Sequence, residues 1–213
     1  MLSNQYPRGK TMQFKKLYST LIAAAVLAAM PLGAAHAGSA GAGQLTPGFI
    51  PTYRYTSLPF VSAASATDEA VCYGSASKTV YVTNIWVTQA GVITPGENLF
   101  YLIKRSTATS GGTSSTLTGV PMDSNNPSAT GSASTFTANP TLGTSVGIVG
   151  SVSIGAAGAT VTPGTLTQQI YHADNFTQAI PLHGVAQCVA VNNNGVTNPI
   201  DQTIIVTFET LEQ

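Results

Sequence analysis

Gly143-Thr144-Ser145-Val146-Gly147 fits G-x-S-x-G, the strand-to-helix turn that presents the serine nucleophile of α/β-hydrolases. Asp174 and His183 follow in the chain order Ser, Asp, His that such a triad uses. The chemistry would be hydrolysis through an activated serine. The turn, however, requires a helix after the serine. The residues after Ser145 alternate like a strand, with Val146, Ile148, Val152 and Ile154 expected on one face. In a Gly- and Ser-rich neighbourhood a chance match costs little, and no catalytic residue is assigned.

Metal chemistry has as little to work with. His172 and Asp174 could offer two ligands, but a zinc site needs three or four. Asp123-Ser124-Asn125-Asn126 carries oxygen ligands without the spacing or terminal Glu of a calcium loop, and reads as an Asx turn. Asp68 and Glu69 are adjacent, so on a strand they face opposite sides and cannot act as a carboxylate pair. There is no phosphate-cradling Gly loop. No cofactor is expected.

Two cysteines remain, Cys72 and Cys188. Their pairing depends on compartment, and the N-terminus speaks to that. Lys15 and Lys16 precede a mostly Ala, Leu, Ile and Val run from Leu17 to Leu32, and Ala35-His36-Ala37 offers a cleavage site. This is the pattern of a bacterial-type signal peptide over 1–37. The expected location is secreted, periplasmic or at the cell surface, with no membrane span after cleavage. In an oxidising compartment Cys72 and Cys188 are expected to form a disulfide. Closing a loop of that length could contribute about 4–5 kcal/mol.

Without the leader, four basic side chains face eight carboxylates, a net charge of −4. So sparse and acidic a chain does not suit nucleic-acid binding, which needs a basic face for phosphates. The remaining 176 residues are enough for one domain with a core.

The pattern from about Val71 onward is β. Thr79 to Thr88 is dense in β-branched and aromatic residues, Asn98 to Arg105 is a short apolar run, and Val185 to Asn192 and Thr203 to Leu211 read as closing strands. No long segment has helical periodicity. The expected fold is all-β: a single β-sandwich of about eight strands over 68–213, for which a jelly roll is one arrangement that fits. Residues 38–67, rich in Gly and Pro, read as an extended arm, and 107–134 as a Ser/Thr/Gly-rich loop with a brief strand at Thr135 to Thr137. Thr-Pro-Gly recurs at Thr46, Thr94 and Thr162 as a reused type II turn, and Asn194-Gly195 marks a further turn. Trp86, mid-strand, is expected in the core. On the surface it would suggest a sugar-stacking platform.

Several short runs carry a resemblance. They are Lys104 to Thr107, Gly111 to Ser114, Val120-Pro121, Asp123 to Asn125, Asn139 to Thr144, and His183 to Gly195 before the ending IIVTFETLEQ. Together, over Asn98 to Gln213, they resemble a family of small phage and prophage proteins, virion-associated. The resemblance implies a structural role and carries no catalytic residues. The leader and the cysteine pair depart from that pattern, since phage structural proteins assemble in the cytoplasm.

The expected function is therefore a non-catalytic structural subunit, of a virion or of a surface filament or layer, that associates with itself. The alternative is a secreted module that binds carbohydrate, such as a surface glycan, or another surface. Lys104 and Arg105 are the one adjacent basic pair beyond the leader, and with Asp123 they are the candidate partner contacts.

Overall fold

The computed structural model describes residues 50–61, 67–90, 96–156, 166–174, 177–193 and 203–213. The expected leader, arm residues 38–49, and the turns at Pro47-Gly48, Thr94-Pro95, Pro163-Gly164 and Asn194-Gly195 lie outside them.

Thirteen strands are present among the described residues: β1 (Thr52–Thr56), β2 (Phe60–Val61), β3 (Asp68–Tyr73), β4 (Val80–Gln89), β5 (Gly96–Arg105), β6 (Ser114–Leu117), β7 (Gly119–Pro121), β8 (Ser132–Phe136), β9 (Ser145–Ala156), β10 (Leu166–His172), β11 (Ile180–Leu182), β12 (Cys188–Asn192) and β13 (Thr203–Glu212). All strand pairs are antiparallel. They form two sheets packed as a β-sandwich. One sheet runs β10-β4-β13-β1-β7, with β11 on β4 and β2 on β13. The other runs β6-β8-β3-β12-β5-β9.

The alternation of apolar and polar residues explains the packing. Every second residue of β13, from Ile204 to Glu212, is buried, as a sheet with one face on the core requires. Val82, Ile85 and Val87 of β4 meet Phe100 and Leu102 of β5 and Val189 and Val191 of β12 in the shared core. A bulge at Thr83 lets β4 keep this alternation against β13, pairing Asn84 with Glu209 and Val82 with Thr210.

The stretch expected as an arm joins the sandwich. β1 lies between β13 and β7, and Tyr53 and Tyr55 are fully buried. Burying each such side chain is worth about 1.5–3 kcal/mol, so the sandwich begins before residue 68. The polar tract 107–134 likewise contributes β6 and β7 and leads into β8, rather than forming one long loop. Its Ser and Thr residues occupy exposed positions of β6, which is why periodicity in apolar residues does not reveal it.

β9 departs from the expected alternation. Leu102 pairs with Gly150 and Ile103 with Ile148, so Val149 is skipped, and Val146 is skipped the same way beside Arg105. The bulges turn the strand. Ile154 is buried, whereas Val146 and Ile148 are exposed, so the four apolar residues do not share one buried face.

Candidate interaction surface

β3 and β12 are buried on both faces. On the outer face Val71, Phe136, Cys188 and Ala190 form a second small cluster. Segments 106–113 and 137–144 lie over it, tied to each other by paired backbone bonds between Ser110 and Thr141. The Tyr73 hydroxyl donates to the Thr109 carbonyl at 2.8 Å.

Asp68 holds this cover in place. A bulge shifts the register between Val191 and Asn192 and sets Asp68 opposite Asn192. The Asp68 carboxylate accepts from Arg105 Nε (2.8 Å) and Nη2 (2.6 Å), Thr109 Oγ1 (2.6 Å) and Asn192 Nδ2 (2.8 Å). Arg105 Nη1 donates to the Gly143 carbonyl at 2.7 Å. A buried charge is tolerable only when so fully hydrogen-bonded. Beside it, Asn193 Nδ2 donates to Glu69 Oε1 at 2.7 Å.

The expectation of Arg105 as a partner contact is thereby corrected: its guanidinium is consumed inside the domain. Lys104 lies on β5 opposite Val189 and is half-buried. Asp123 accepts from the backbone N–H and side-chain amide of Asn125, as an Asx turn does.

The expected disulfide is also corrected. Cys72 and Cys188 are free thiols, both buried. They sit on adjacent strands one step out of register, Cys72 opposite Val189 and Cys188 opposite Tyr73. Cys72 therefore points into the core between the sheets and Cys188 into the outer cluster. Burial pushes the Cys72 thiol well up, with smaller contributions from Cys188 and Glu212. Burial likewise raises Cys188.

Ser145 opens strand β9 opposite Arg105, not a strand-turn-helix. Asp174 Oδ1 accepts from the Thr177 N–H, and His183 Nδ1 shares a hydrogen bond with Thr79. Among the described residues no three His, Cys, Asp or Glu side chains converge as metal ligands. Trp86 differs from the core expectation. It is half-buried on the outward face of its sheet, with the Arg54 guanidinium 5.7 Å from the ring centroid. Glu209 holds Arg54 at 2.7 Å. Thr56, Thr88, Thr167 and Thr207 surround the ring.

The site that sequence reasoning missed is a groove of about 720 Å³ along one side of the sandwich. Its walls come from the β1–β2 connection (Leu58, Pro59), Phe60 of β2, the β6 edge, and Val120 and Met122 at β7. Leu58 is 84% exposed, Val120 56% and Met122 54%. Among the described residues the neighbouring strands have one partner each: β6 pairs with β8 and β7 with β1. Among the described residues that line it, Arg54 is the charged one. These apolar residues are scattered through Ser- and Thr-rich sequence, so only the fold collects them.

Comparison with known proteins gives no matching family model, no similar curated protein and no similar solved structure.

Proposed function

We propose that this chain is a non-catalytic structural subunit, exported and self-associating, of a virion-like particle or a cell-surface filament or layer. The observation that carries it is the groove with its exposed Leu58, Val120 and Met122 beside two half-paired strands. Exposed apolar groups next to open sheet edges suit association between subunits. The sparse charge, net −4 beyond residue 37, leaves little long-range repulsion between copies. The resemblance of residues 98–213 to virion-associated proteins supports the same reading. Negative-stain electron microscopy of the purified protein tests it. Filaments, rings or sheets are expected, and a dispersed monomer at high concentration would sink it.

A second reading, a secreted glycan-binding module, is favoured by Trp86 alone, through its outward position among four threonines. Arg54 already lies over the ring, which leaves less of it for a sugar to stack on. Quenching or a shift of Trp86 fluorescence on adding oligosaccharides would favour it over assembly.

A further inference from the structure

We infer that the β9 edge of one copy of this chain docks on the β6 edge of the next, so that the six-stranded sheet continues from copy to copy. The inference rests on the self-assembly reading and gives it an interface.

Among the described residues β6 and β9 end this sheet, each with one partner strand and one open side. The open side of a strand presents a row of backbone N–H and C=O groups, and another strand satisfies them together. Neither edge is guarded by charge. Ser114–Leu117 and Ser145–Ala156 contain no charged residue and no proline, although β9 carries its two bulges. Both sides also expose apolar groups. Val146, Ile148 and Val149 are exposed on β9, and Leu58, Val120 and Met122 are exposed around the groove beside β6. The groove's Arg54 is already held by Glu209, so an uncharged strand suits it.

Strand direction selects the partner. Direction alternates across the six strands, so β6 and β9 run opposite ways. Two copies side by side in the same orientation therefore bring β9 antiparallel to the next β6, as every other pair in the sheet is. The second sheet does not do this. Its path β10-β4-β13-β1-β7 has five strands, so β10 and β7 run the same way and would meet parallel. The levels match as well. Followed strand by strand, Thr116, Ser134, Val71, Ala190, Ile103 and Ile148 form one row, and Leu117 and Gly147 end the next. Docking without a slide thus sets Ile148 opposite Thr116. Shape agrees with this. A Cβ on Gly150 would lie 3.0 Å from the Ile170 carbonyl oxygen, so β9 closes its side of the sandwich against β10, whereas the β6 side opens as the groove of about 720 Å³. Pairing β9 with a second β9 would leave that groove uncovered. The contact joins two different surfaces, so it propagates as a ring or filament.

The test mixes two full-length variants, Thr116→Cys and Ile148→Cys, and treats them with a short bismaleimide, which tolerates a slide of a residue or two. Both positions are exposed, and the native thiols are buried and do not compete. In the control Val185→Cys, exposed between β11 and β12, replaces Ile148→Cys. A crosslinked dimer at least about ten-fold above the control is expected, from the high local concentration of docked edges. The double variant should give a ladder of multimers. It cannot close within one chain, because its two thiols lie five strand spacings apart, about 24 Å. Ile148→Cys crosslinking to itself more than to Thr116→Cys would overturn the inference in favour of a two-fold β9 contact. Particles seen by microscopy without the mixed crosslink would overturn the edge assignment and leave self-assembly standing. Neither particles nor crosslink would overturn both.

Discussion

Arg105 and Asp68, far apart in sequence, meet as a two-point ion pair at 2.8 and 2.6 Å, with at most 4% of either side chain exposed. The pair spans β5 and β3, and through Gly143 and Thr109 it fastens the segments that cross the outer face.

Removing one partner leaves an unpaired charge in that site. Arg105→Ala is expected to cost about 3–5 kcal/mol. Lys104→Ala, next door and half-exposed, should stay within about 0.5 kcal/mol. Urea titrations followed by Trp86 fluorescence compare the two. An Asp68→Leu/Arg105→Met double variant is expected to recover only part of the loss, because it removes both charges but takes their partner from Thr109, Asn192 and the Gly143 carbonyl.

Gly143 is fixed by close approach. A Cβ there would lie 1.9 Å from the Thr107 carbonyl oxygen. Gly143→Ala should therefore separate the two crossing segments and destabilise by about 1–3 kcal/mol or more. Faster hydrogen exchange at the N–H groups of Ser106, Ser110 and Thr141, which bond across this crossing, would locate the damage. Unchanged exchange there would refute it.

Buried thiols give the protein an alkaline limit. Folded Cys72 and Cys188 hold their protons above the ordinary thiol value, chiefly because burial disfavours the thiolate. The unfolded chain releases those protons above about pH 8.5 and the folded chain does not, so stability is level below that pH and falls above it. The fall approaches about 1.4 kcal/mol per pH unit for Cys72, and Cys188 adds to it in the same direction. Tyr55 and Tyr73, raised by burial too, add to it above about pH 10. Melting temperatures from pH 7 to 11 measure the slope, which a Cys72→Ala/Cys188→Ala variant should flatten between pH 8.5 and 10. Reductant should leave the wild-type melting temperature unchanged.

Glu212 closes the last strand against residues 130 and 131. Its buried carboxylate accepts from the Thr130 N–H at 2.9 Å, the Thr130 hydroxyl at 2.8 Å and the Gly131 N–H at 2.9 Å. Glu212→Gln turns an acceptor-only group into one with an NH₂ facing donors. The expected loss is about 1–3 kcal/mol by chemical denaturation. A neutral result would mean the amide finds another acceptor.

Their β-branched and aromatic residues made β4, β12 and β13 legible, because strand propensity is written in a strand's own residues. The β-sandwich class followed from these and from the lack of helical periodicity. The Asx turn at Asp123 was legible for the same reason, since its bonds are local. The sequence also set the sparse charge, which no fold can alter.

Only tertiary structure decided the rest, because each remaining feature depends on partners far along the chain. Arg105 looked like a surface cation until Asp68, across the sheet, claimed it. Cys72 and Cys188 looked like a pair until strand register placed them on opposite faces. β1 looked like a free arm until β13 and β7 flanked it, and β9 lost its expected face to two bulges. The groove has no signature at all in sequence. It exists because the β1–β2 connection, β6 and β7 come together at one side of the sandwich, and register and sheet order are properties of pairs of strands, not of any one strand.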